Sequence, residues 1–124
     1  MAIVVAVAMG GAAGSVVRYA LASWLTHAFR LGGSGTMVVN LIGAFSLGVF
    51  FGMLESRYPT VPAAVRIGLA TGVLGSFTTF SSYMADVVTH VEAGRFIVAV
   101  ALLAATLVLG LIAMVGGLAA GRAV

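Results

Sequence analysis

The sequence predicts an all-α membrane protein of four transmembrane helices with a break in the third. Three observations carry that prediction. The 124 residues are 62% hydrophobic and only 7% charged, whereas soluble domains carry about 25% charged residues. At about 20 residues per bilayer crossing, the chain has room for four helices and no separate soluble domain. Short polar turns divide the apolar stretches, and one stretch carries a dense polar cluster from Gly72 to Tyr83.

Helix 1 is expected from about Ile3 to Ala28, followed by a turn with Arg30, Gly32, Gly33 and Ser34. Its apolar run outlasts a signal peptide and lacks a basic leader, so it reads as a first span. Helix 2 is expected from about Thr36 to Leu54, ending at the polar stop Glu55-Ser56-Arg57-Tyr58-Pro59-Thr60. Helix 3 is expected over about Pro62 to Val88, since proline suits a first helical turn. Helix 4 is expected from about Arg95 to Leu118, with Arg122 as the terminal anchor. The whole chain, residues 1–124, forms one domain with both termini on one side of the membrane.

Composition also excludes functions. With no Cys there is no disulfide, thiolate metal site or cysteine nucleophile. A net charge of +3 is too small and dispersed for nucleic acid. His27 and His90 fall at expected helix ends, where interfacial solvation accounts for them. No base, nucleophile pair or metal cluster suggests an enzyme. All six cationic residues are Arg. Arg57, Arg66 and Arg122 fall on the side of the termini, and Arg30 and Arg95 on the other. That balance fits a chain that inserts both ways, and fits equally a chain with few charges.

Small residues recur four apart at Gly10 and Gly14, Gly48 and Gly52, Gly68 and Gly72, and Gly117 and Gly121. Such ridges let helix backbones approach closely in lipid. Packing within the chain accounts for them, as does pairing between chains. A four-helix bundle is thin, so a solute path fits better between two copies than inside one.

Polar groups at membrane depth are functional-site hypotheses by default. Asn40 offers two N–H donors and a carbonyl. It could bond a neighbouring helix, or line a path together with Thr36, Gly43 and Ser46. Arg18 could snorkel to the interface with Tyr19 and Trp24, or place a positive charge at a vestibule. Thr106 in helix 4 could bond its own backbone or face the helix 3 cluster. No carboxylate lies at mid-membrane, and Asp86 is near the end of helix 3.

In the helix 3 cluster, Gly72 and Gly75 weaken the helix, and Thr78, Thr79, Ser81 and Ser82 compete with its ladder. A break is expected between Gly75 and Thr79. Freed carbonyls there suit a desolvated hard cation such as Na⁺. Phe80 and Tyr83, three apart, are expected on one face. Their positive ring edges, with hydroxyl and amide donors, would make a lining suited to a small anion. The same rings could instead be bulk facing lipid or core.

The pattern Gly10-Gly11-x-x-Gly14-x-x-x-Arg18-Tyr19, then Gly35-Thr36-x-x-x-Asn40-x-x-Gly43, then Gly75-x-x-Thr78-Thr79-Phe80-Ser81-Ser82-Tyr83 resembles the Fluc (CrcB) fluoride-channel family. The resemblance covers nearly the whole chain. It implies an antiparallel, dual-topology homodimer in the cytoplasmic membrane, with two pores at the dimer interface and passive fluoride export. It implies a structural Na⁺ at the dimer centre on the carbonyls of Gly75 and Thr78. It places Asn40, Phe80, Tyr83, Ser81, Ser82 and Thr106 along the fluoride path and Arg18 at a vestibule. Tyr83 stands where the family usually has Phe, and Leu102 about where some members carry Tyr.

Two other classes compete with a fluoride channel. A dual-topology multidrug exporter has four helices but needs a carboxylate in helix 1, which here has none. A non-transporting membrane subunit needs no ordered set of Asn, Phe, Thr and Ser.

Overall fold

The computed structural model describes residues 1–124 and contains only helices. Helix α1 covers Ala2–Phe29 and α2 covers Ser34–Ser56. The third span begins as α3, Ala63–Ile67, and widens to π-helical winding over Gly68–Leu74. It tightens again as α4, Gly75–Phe77, opens at residues 78–80, and resumes as α5, Ser81–Glu92. The last span is α6, Phe96–Ala123. Four spans, the third being Ala63–Glu92, are long and apolar enough to cross a membrane.

Several ends differ from the sequence expectation, each for a local reason. Arg30 adopts a left-handed conformation (φ 54) and its N–H closes α1 on the Thr26 carbonyl. Gly33, at φ 82, turns the chain straight into α2, so that helix starts two residues early. Gly94, at φ 72, ends α5 later than expected, which puts His90 inside the helix. Pro62 caps α3 from outside the first turn. Gly117 and Gly121 do not end α6, because the facing helix packs onto them.

All four glycine ridges are used inside the chain. A Cβ on Gly48 or Gly52 would overlap the carbonyls of Met114 and Leu118 on α6. A Cβ on Gly117 or Gly121 would overlap those of Phe45 and Val49 on α2. This reciprocal α2–α6 seam is the most extensive contact in the molecule. Gly10 and Gly14 receive the carbonyls of Gly68 and Val73, while Gly68 and Gly72 receive Ala6 and Val7. Backbone-to-backbone approach therefore builds two helix pairs, α1 with the third span and α2 with α6. The ridges hold one protomer together and leave nothing of themselves to join two.

The ends of α2 and α6 meet through the Arg122–Glu55 ion pair (2.8 Å) and an Arg57 bond to the Val124 carbonyl. Ala6, early in α1, abuts Gly68, early in the third span. Both termini thus lie at one end of the bundle. Only 20 residues are buried, so most of the apolar surface must be covered by something other than this chain. In a multi-pass membrane protein lipid hydrocarbon covers it.

Candidate functional site

The break in the third span is created from α2. Asn40 reaches across and clamps the Thr79 peptide on both sides. Its Oδ1 accepts the Thr79 N–H (2.8 Å), and its Nδ2 donates to the Thr79 carbonyl (3.0 Å). One side chain so replaces the two ladder bonds that Thr79 would make in a helix. Gly43, one turn further along α2, makes the approach possible: a Cβ there would overlap Thr78 and lie 3.2 Å from the Phe77 ring. Thr78 becomes extended (φ −84, ψ 158). Thr79 then braces the first turn of α5 from within the break, its Oγ1 accepting the Ser82 N–H (3.3 Å) and donating to Ser82 Oγ (3.1 Å).

The break therefore lies at residues 78–80, later than the expected Gly75 to Thr79. Gly75 is helical (φ −65, ψ −33), and Gly72 serves close packing on Val7. Glycine does not open this helix; a side chain from another helix does.

The carbonyls released by the break have different fates. That of Ser76 takes Arg18 Nε (3.0 Å). That of Gly75 takes only the Thr78 hydroxyl, at 3.4 Å. That of Thr78 receives no hydrogen bond from the backbone. Half-buried Arg18 thus sits at a helix C-terminus, where a cation is favoured. Its guanidinium caps the broken helix.

Beside the break is an outward-opening groove of about 540 Å³. Asn40 comes to it from α2, Thr79 and Phe80 from the break, Tyr83 from α5, and Leu103 and Thr106 from α6. No ionisable group other than the Tyr83 phenol lines it. Phe80 and Tyr83 both line the groove, as their spacing predicts, but they differ in burial. Phe80 sits outside the helix and is 73% exposed, whereas Tyr83 is 3% exposed in a cluster with Val87, Ala99 and Leu102. Ser81 and Ser82 are exposed and lie outside the groove wall, Ser82 being engaged with Thr79. Thr106 does face the helix 3 cluster.

Two polar contacts had no clear signal in the sequence. Thr36 Oγ1 donates to Asp86 Oδ2 (2.8 Å), tying α2 to α5. His90 is 1% exposed, with Nε2 2.8 Å from the Gly32 carbonyl. It latches α5 to the α1–α2 turn and is not a solvated end residue. At this end a second cavity, about 830 Å³, is lined by Ser23, Thr26, His27, Arg30, Gly32 and Thr36 among others. Arg30 is its one formal cation. Thr36, on its wall, lies one turn from the groove-lining Asn40 on α2.

The family model described as CrcB-like protein, Camphor Resistance (CrcB), matches residues 5–118. The chain belongs to the CrcB family. It is 42% identical over 124 residues to the fluoride-specific ion channel FluC of Allorhizobium ampelinum, covering 96% of this chain and 95% of that one. It is 40% identical over 121 residues to the FluC of Rhizobium etli, covering 94% of both. The FluC of Pseudomonas putida is 37% identical over 123 residues, covering 98% of both. The CrcB family is one of ion channels, and its members are not enzymes.

Proposed function

We propose that the chain is a fluoride-selective channel that lets F⁻ leave the cell passively and so lowers cytoplasmic fluoride. The observation that carries this is the groove: the neutral polar residues Asn40, Thr79, Tyr83 and Thr106 and the Phe80 ring line it, and no carboxylate does. Moving a small unpaired ion out of water costs on the order of tens of kcal/mol by Born reasoning. The spare N–H of Asn40, the hydroxyls and the edge of Phe80 would replace the water that fluoride sheds. None carries a formal charge, so the ion is compensated without being trapped. Arg30 at the second cavity would raise the local anion concentration at that end of the protein. A proton-coupled multidrug exporter loses ground here, because neither α1 nor the groove holds a carboxylate.

One protomer leaves the path unfinished. Phe80 is exposed on the open side of the groove, so a second wall is required. In this reading an antiparallel second copy in the cytoplasmic membrane supplies it, giving a dual-topology homodimer with two equivalent pores. The released carbonyls support the same assembly. Gly75 and Thr78 offer oxygen ligands of the kind Na⁺ takes. Two carbonyls do not fill the shell of a hard cation, and Arg18 lies close by. A Na⁺ would therefore be held jointly by the carbonyls of two copies at the dimer centre. Its role would be structural, offsetting the carbonyl dipoles that the break exposes.

Reconstituted liposomes loaded with fluoride test the proposal, with chloride as the control ion. Electrode-detected fluoride efflux without chloride efflux is expected; equal release of both ions, or of neither, would refute it. Thorough exchange of Na⁺ should lower efflux and loosen the dimer on size exclusion. Unchanged values of both would remove the cation.

A further inference from the structure

Two hydroxyls among the groove-lining residues have no partner. Tyr83 Oη and Thr106 Oγ1 are both buried and both without a hydrogen bond. They are the only buried hydroxyls in the molecule so left. Thr89 bonds back to the Ala85 carbonyl (2.9 Å), Ser56 to that of Gly52 (2.9 Å) and Thr78 to that of Leu74 (3.3 Å). Thr106, in the middle of α6, has the same carbonyl geometry available and leaves it unused.

The Tyr83 hydroxyl is harder still to explain as packing. The ring sits against Val87, Ala99 and Leu102, an apolar cluster that a phenylalanine would fill equally well. An orphaned hydroxyl in such a place costs stability, and its removal at constant shape is neutral or favourable. The donor is retained at a cost, which is expected of a group whose partner arrives with the substrate.

We infer that Tyr83 Oη and Thr106 Oγ1 form a dehydrated anion-binding station, which makes Tyr83 an affinity-setting residue of this channel. This rests on the fluoride-channel reading. Both groups donate O–H to the same ion, which accepts and transfers no proton. Fluoride is the strongest hydrogen-bond acceptor of the halides, so two O–H donors on one groove prefer it to chloride. Neither oxygen is open to water in the structure. Met84 and Leu103 pack on the same cluster and also line the groove. Met is readily displaced, so the station fills when these side chains yield. Fluoride is then held longer than a bare ring edge would hold it.

Flux at increasing fluoride, measured in liposomes, tests the station. Tyr83→Phe and Thr106→Val should each raise the half-saturating fluoride concentration about tenfold or more, as loss of a bond to a charged partner predicts. Tyr58→Phe, at the opposite end and exposed, should leave it unchanged. Equilibrium binding gives a second readout on the purified chain in detergent. A phenol that donates to fluoride shifts its near-ultraviolet absorption to longer wavelength. The shift is expected in the unsubstituted chain and in Thr106→Val, and is expected to vanish in Tyr83→Phe. A conducting Tyr83→Phe protein with unaltered half-saturation overturns the station and leaves the channel standing. Absence of fluoride flux in the unsubstituted chain overturns the channel reading instead. If Tyr83→Phe fails to fold, the absorption shift in the unsubstituted chain decides, and no shift sinks the proposal.

Discussion

Helix α2 makes two contacts of opposite character. Along one side it meets α6 through Gly48, Gly52, Gly117 and Gly121, backbone against backbone over regular helices. On another it meets the third span through Asn40 and Gly43, where a side chain takes over the bonds of a helix and opens it. In the first contact glycine only removes bulk, and the helical ladders stay intact. In the second, the clamp leaves a Thr78 carbonyl without a backbone bond and a spare amide N–H, beside a groove with two orphaned hydroxyls. A membrane protein gains rigidity from the first kind of seam and binding capacity from the second. Both begin with a glycine, and the difference is made by Asn40 three residues away.

The widest separation between the two seams should come from Gly117→Leu. The added side chain would overlap the Phe45 and Val49 backbone on α2, which neither helix can vacate. Loss of monodisperse protein on size exclusion is expected; a well-folded, conducting variant would show that the seam is not close-packed. Asn40→Ala acts on the other contact. It leaves the Thr79 N–H and carbonyl unpaired, at about 1–3 kcal/mol for each buried group. Thermal stability should fall while the chain still folds, and fluoride efflux should drop about tenfold or more. A flux loss without a stability loss would mean that Asn40 serves the ion and not the break. Phe80→Ile is expected to cut flux sharply with the assembly intact, because the exposed ring packs against little in its own protomer. Unchanged efflux would remove Phe80 from the pathway. The smallest effect belongs to Glu55→Gln at the end of the α2–α6 seam. Its ion pair with Arg122 is 55% exposed on both sides, so under about 1 kcal/mol is expected in unfolding experiments. A larger loss would mean that charge, and not close backbone contact, holds these helices together.

Residues differ in how far they could be read in advance. Asn40, Thr106 and the helix 3 cluster stood out because polar groups in an apolar run demand a reason. The groove brings Asn40, Thr79, Phe80, Tyr83 and Thr106 together as that reasoning suggested. Arg18 has in addition a partner that no local pattern predicts, the freed carbonyl of Ser76. Ser81 and Ser82 open helix α5, exposed and outside the groove wall of the single protomer. His90 left no trace at all: its partner is a backbone carbonyl 58 positions away, and backbone carries no residue-specific signal.

The amino-acid sequence by itself determined the number of spans, their approximate limits and the presence of polar groups where lipid forbids idle ones. Those follow from hydropathy, length and local propensity, which act over a few turns of chain. Tertiary structure alone decided where the third span opens, which carbonyls are freed, and which hydroxyls are left without partners. The reason is that each of those outcomes is a choice between a local bond and a distant one. Thr79 leaves its ladder because Asn40, 39 residues earlier, offers both replacements at once.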